Sequence, residues 1–303
     1  MSRTWIVGAF FATLAAIFNA TVGVMSVSLF NNGLAPQSVA FLKCIIALVM
    51  LLLYVISFKR KELKNKILTK WKPISICAFF GFFILYTFET KAYDTLNVAV
   101  VVFILFGSSM ITTFILSCLL DRRMIKFREL VSIVLSITGL SLIFSYDLGD
   151  ESFNGLVNAT FSGFGYGVFL VLSKRYQIGS SITTLTSLMM FGTFYLFIYW
   201  LIFPSEISLG SIAESSFYLL ALAILPTIGG FYCTIKSLSL IKSESVQLIE
   251  LSEPVFAIAF SFLFLSQIMT FNQAVGGVVI VISILIHEME FGIFKRKIYK
   301  ALG

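Results

Sequence analysis

Residues 245–267 read SVQLIELSEPVFAIAFSFLFLSQ. The run is long enough to cross a hydrocarbon core about 30 Å thick, yet its first half holds Glu250, Glu253 and Pro254. Carboxyls are costly in hydrocarbon, so chains keep them there where they face an interior cavity. Proline lacks the helical N–H and clashes with the carbonyl four residues back, which here belongs to Glu250. Gln247, Glu250, Pro254, Ala257 and Ser261 recur at intervals of three and four, so they share one helical face. Glu253 lies beside that face. Two readings follow: the face lines a cavity where Glu250 holds a cation or proton, or the acids sit at a helix N-terminus, which the dipole favours, near Lys236 and Lys242.

Outward from this stretch, the whole 303-residue chain is apolar. Hydrophobic residues make up 58% of it and charged residues 12%, with a mean hydropathy of +0.98. Soluble domains carry about a quarter charged residues, so an integral membrane protein is expected. Apolar runs of membrane-crossing length recur near 5–30, 36–58, 73–93, 96–119, 128–146, 154–173, 182–203, 216–240, 245–267 and 271–290. The expected fold is therefore all-α, with ten transmembrane helices joined by short loops. The first run is too long for a signal peptide and lacks a small-x-small cleavage pattern. KRKELKNKILTKWK at 59–72 reads as an amphipathic helix on the membrane surface. Cys44, Cys77, Cys118 and Cys233 lie inside apolar runs without metal-ligand spacing and are expected to act as small buried hydrophobes.

The net charge of +7 is explained by its distribution. Apart from Lys43 and Lys91, the basic residues fall in or beside even-numbered loops and at the termini. The odd-numbered loops hold Asp147, Asp150, Glu151, Glu206 and Glu214. Basic loops stay in the cytoplasm, so both termini are expected there, in a cell membrane. The basic balance reports topology, and no nucleic-acid partner is expected. Nor is a cofactor or metal, since no phosphate loop or ligand cluster appears.

The chain also repeats itself. At an offset of 145, residues 91–123 lie over residues 236–268, with Lys91 on Lys236. At an offset of 147, Gly8, Ala12 and Thr13 fall on Gly155, Ala159 and Thr160. Five helices per half is an odd number, so the halves should be inverted: 1–146, then 154–290, then a basic tail at 291–303. Secondary transporters are commonly built this way, with the substrate site at midplane between the halves. Leu105, Ser108 and Ser109 stand where Glu250, Glu253 and Pro254 would have partners.

Two five-helix halves with cytoplasmic ends resemble the drug/metabolite transporter superfamily, in particular its EamA-domain members. ELSEPVFAIAFSFLFLSQ resembles that family's acidic, proline and aromatic ninth helix, and KSLSLIKSESVQ its serine-rich hairpin before it. The chain departs from the pattern at Gln267, where an acidic residue is usual, and at Ser108 and Ser109. The resemblance implies a carrier of small metabolites such as amino acids or amines, often an exporter, with a central cavity.

Further candidates for substrate binding or coupling come from the other spans. Glu89 lies in YTFETKAYD with Tyr86 three residues before it, and Lys43 should lie at a similar depth, so the two can pair. Glu89 then acts as a gate or proton-carrying acid, or as half of a fixed ion pair. Asn19 and Tyr166 match at offset 147 among small residues that permit close helix approach; with Tyr232 they complete the set. Each could equally serve interhelical hydrogen bonding alone. The expected function is alternating-access transport of a small polar metabolite, driven by the substrate's own gradient or a proton's. Oligomeric state stays open. A membrane enzyme acting on lipid or isoprenoid substrates, or a structural subunit, is the alternative.

Overall fold

The computed structural model describes residues 3–122, 127–144, 150–205, 209–241, 249–250 and 252–288. Gln247, Lys242 and the tail at 291–303 lie outside the described residues. Within them every regular element is helical: α1 (Arg3–Asn31), α2 (Pro36–Phe58), α3 (Arg60–Ala78), α4 (Leu85–Thr95), α5 (Val98–Asp121), α6 (Phe127–Phe144) and α7 (Asp150–Arg175) come first. They are followed by α8 (Ile182–Ile202), α9 (Leu209–Glu214), α10 (Ser216–Leu222), α11 (Phe231–Leu240), α12 (Glu253–Leu265) and α13 (Phe271–Glu288). Seven helical stretches are long and apolar enough to cross a membrane; Leu130–Gly139, Glu253–Leu265 and Phe271–Ser283 are shorter apolar helices. Many large apolar side chains point outward, including Phe58, Phe217 and Phe264. In a bilayer these positions face lipid. All four cysteines are free and buried.

Local sequence explains the tight turns. NNGLAPQ ends α1 with Gly33 at φ 82°, where Gly33 N–H reaches Phe30 O at 2.8 Å and Leu34 N–H reaches Leu29 O at 3.1 Å. A left-handed glycine after the last turn closes a helix in this way, and Pro36 then opens α2 in its first turn, a position that needs no N–H. The expected surface helix at 59–72 is the start of α3. It ends in a kink at Lys70 (φ −130°, ψ 21°) just before Pro73.

Two features depart from the expected plain helices. The third span of each half contains a π-helical segment, Phe79–Ile84 before α4 and Ala223–Gly230 before α11. These segments coincide under the offset of 145. Pro226, which has no N–H to give, lies inside the second. One extra residue per turn rotates whatever follows, and such bulges recur at functional sites.

The second departure is in the ninth run, expected as one continuous span. Ser252 is a turn residue whose N–H bonds Ile249 O at 3.0 Å. The helix starts afresh at Glu253, with Pro254 in its first turn. Ser252 keeps helical backbone angles (φ −72°, ψ −16°), so the break is an interruption of the hydrogen-bond ladder just before Pro254, whose missing N–H costs nothing in the first turn of α12.

The halves pack reciprocally. α1 lies against the 223–230 segment, α11 and α12 of the second half, while α7 lies against the 79–84 segment, α4 and α5 of the first. α2 packs on α8, and α6 on α13, where Ser136 and Ser283 meet at 2.8 Å. These two serines are 147 residues apart, the repeat offset itself, so they sit where the halves exchange places. Close approach is made with glycine: a Cβ on Gly163 of α7 would collide with Ser108 Oγ and Leu105 O of α5.

Candidate functional site

Glu250 and Glu253 flank the break before α12, and both are buried. Thr234 of α11 donates to Glu250 Oε1 at 2.7 Å, and Tyr166 of α7 reaches Glu250 Oε2 at 3.5 Å. Glu253 lies beside Asn19 of α1 and within electrostatic reach of both Glu250 and Glu89. Asn19 and Tyr166 are repeat-related, so each half's first helix serves one of the two carboxylates. Gly230 makes room for this, because a Cβ there would collide with Asn19 Oδ1.

The 79–84 segment turns α4 so that Tyr86, Glu89 and Tyr93 point inward and are buried. Tyr93 donates to Glu89 Oε1 at 3.3 Å. Lys43 of α2 is 1% exposed; its Nζ lies 3.9 Å from Glu89 Oε2 and 3.9 Å from the centre of the Tyr86 ring. A desolvated ammonium over a ring is stabilised by about 2 kcal/mol. Glu89 Oε2 has no hydrogen-bond partner among the described residues, so the ion pair leaves it capacity for another donor. The Tyr86 phenol lies near Thr227, whose hydroxyl donates to Leu222 O at 2.8 Å.

Aromatic rings close the space between these groups. Tyr86 and Phe231 meet edge to face at 5.9 Å, Phe169 and Phe231 at 6.0 Å, and Tyr166 stacks near Phe169 at 6.5 Å. Tyr166 is within electrostatic reach of Glu250, Glu253 and Glu89 together. Three carboxylates and one ammonium thus converge with phenols and aryl faces in the interior of the bundle. Such a set can hold a cation through charge and through ring quadrupoles.

Of the residues singled out from sequence, Glu250, Glu253, Glu89, Lys43, Tyr86, Asn19 and Tyr166 come together here. Lys43 and Glu89 form the pair that their similar depth suggests. Tyr232 lines a separate surface cleft with Lys236, and Gln247 lies outside the described residues. Lys236, which one of the two readings set near the acids, thus lines that cleft, and Thr234 answers Glu250. Thr234 went unnoticed in the sequence, although the offset of 145 places it opposite Glu89. Gln267, which departs from the acidic pattern, caps α5 across the halves, its Oε1 accepting from Val98 N–H at 3.0 Å.

Comparison with known proteins follows the same division into halves. No curated protein matches the sequence. A solved crystal structure of a protein aligns at a TM-score of 0.65 and 14% identity, over 96% of this chain and 98% of the other. At that identity the likeness speaks for the fold. The EamA-like transporter family matches twice, over residues 6–145 and 153–287. Two matches in tandem, with seven membrane-length helices among the described residues, make this a multi-pass membrane protein, and the chain belongs to the EamA-like transporter family.

Proposed function

We propose that this protein is a secondary transporter for a small metabolite carrying an ammonium group, an amine or amino acid, bound at Glu250 between two inverted five-helix halves. The observation that carries the reading is the buried Glu250 carboxylate, held by Thr234 and Tyr166 at a break in its helix. Broken helices beside midplane sites are a recurrent device of secondary transporters. Glu253 and Glu89 lie close by, so a bound ammonium relieves repulsion among carboxylates as well as binding to one. Lys43 holds Glu89 when the ligand is absent, and a proton arriving at any of the three acids competes with the ligand. That competition couples substrate movement to a proton gradient.

In this reading the chain has ten spans, divided at 1–146 and 154–290. Its termini and lysine-rich loops lie in the cytoplasm of a cell membrane, and export is the working direction. The reciprocal packing of α1 and α7 supplies two similar seams that open alternately. No cofactor is required, and the partners are lipid and substrate.

A thermal-shift screen of purified protein against amines, amino acids and sugars tests the substrate class, because a ligand of the folded state raises its apparent stability. Stabilisation by amines or amino acids that Glu250→Gln abolishes is the expected result. Stabilisation by sugars or organic anions alone would overturn it.

A further inference from the structure

At the lysine-rich end of the bundle a concavity lies apart from the carboxylates. It encloses about 530 Å³ between the end of α2, the start of α3, the turn before α8, and α11. Three ammonium groups converge there from separate elements: Lys59 after α2, Lys66 on α3 and Lys236 on α11. One carboxylate, Glu62, shares the wall. It is engaged sideways, accepting from Thr183 at 2.6 Å and lying 4.0 Å from Lys59 Nζ. Lys66 is held in place by Thr184 and, at 3.4 Å, by Ser181. Lys236 is half-buried, and no ion pair is seen for it among the described residues. Ser180, Ser181 and the phenols of Tyr54 and Tyr232 add neutral donors. Three lysines against one glutamate make the cleft an anion receptor with an excess of two positive charges.

Its depth follows from the rim. Tyr54 and Phe58 are exposed at the end of α2, and Leu68 and Trp71 further along α3 beside its kink. Tyrosine and tryptophan in such company mark the headgroup level of a bilayer. Basic pockets between helices at that level suit phosphate headgroups. The volume exceeds what a bare inorganic anion fills, which leaves room for a substituent on the phosphate.

We infer that this cleft binds a phosphate-bearing ligand, either a phospholipid headgroup or a phosphorylated solute, at a site separate from the carboxylate cluster. The carboxylates repel such an anion, so the two sites take different ligands, and this inference does not rest on the substrate class proposed above.

The test uses full-length protein in detergent, the double variant Lys59→Gln/Lys236→Gln, and Ser180→Asp, which keeps every lysine and places a carboxylate in the cleft. Thermal unfolding is followed with added phosphatidylglycerol, phosphatidylcholine, or inorganic phosphate against chloride at matched ionic strength. Native mass spectrometry counts the retained adducts. Wild type should be stabilised by phosphatidylglycerol and not by phosphatidylcholine, and the double variant should bind about thirtyfold more weakly. A shift with phosphatidylglycerol alone assigns the ligand to lipid; a shift with inorganic phosphate as well assigns it to soluble phosphate. Should the double variant fail to fold, loss of the shift in Ser180→Asp carries the same weight. Equal shifts in wild type and folded variants, or no shift with either phosphate source, would overturn the proposal.

Discussion

Replacing Glu250 by Gln keeps the shape of the side chain and one acceptor oxygen while removing its charge. The 2.7 Å bond from Thr234 can persist, since Gln Oε1 accepts as Oε1 of the carboxylate does. Glu253 loses a like-charged neighbour, so the folded state should be no less stable than wild type. Ligand binding should suffer instead. A unit charge about 4 Å from an ammonium contributes about 4 kcal/mol at an effective dielectric of 20. Glu89 and Glu253 are both within reach and take up part of that interaction, so the net loss should be about 2–3 kcal/mol, or roughly 30- to 150-fold in affinity. The assay is uptake of the best ligand from the thermal-shift screen into proteoliposomes, with the variant's melting temperature measured alongside. Wild-type flux by folded Glu250→Gln protein would refute the assignment. Loss of folded protein would refute it differently, since the carboxylate would then be serving the fold.

Lys43→Met should cost about 3–5 kcal/mol of stability, because it strands the buried Glu89 carboxylate without its cation; Lys43→Met/Glu89→Gln should recover most of that loss in a thermal melt. Failure of the double variant to recover would show that Lys43 acts mainly through packing. Gln267→Glu places a full negative charge at the N-terminus of α5, where Gln267 already accepts from Val98 N–H, and should stabilise by about 0.5 kcal/mol, an increment removed by high salt. Gly163→Ala forces a methyl group against Ser108 and Leu105 O and should destabilise by about 1–3 kcal/mol; a neutral result would show that α5 and α7 can separate without cost.

Much of the candidate site was readable because it obeys the repeat. Asn19 and Tyr166 match at offset 147, and each turns out to face one carboxylate of the ninth run. Lys43 and Glu89 could be paired from depth alone, since two helices of known direction place residues at calculable heights. Other features left no such trace. Phe79–Ile84 reads FFGFFI, an ordinary apolar run whose π-helical turn comes from packing. The break before Glu253 was obscured by Pro254, whose presence suits either a kink inside a helix or the start of one. Tyr232 was misleading for a related reason: it stands next to Phe231, which packs among the rings of the site, yet its own position on α11 turns it to the cleft.

The chain's amino-acid order by itself determined the membrane class, the placement of the apolar runs, the clustering of lysines at alternate loops, and the two-fold repetition. These are local or additive properties, set by the length of apolar runs and by charge counts along the backbone. Tertiary structure alone decided which groups meet the acids. Thr234 donates to Glu250, and Asn19 comes to lie beside Glu253 from the other end of the chain. Those meetings depend on helix rotation and ångström-scale approach between segments far apart in sequence, which glycine, π-turns and cross-half packing set together.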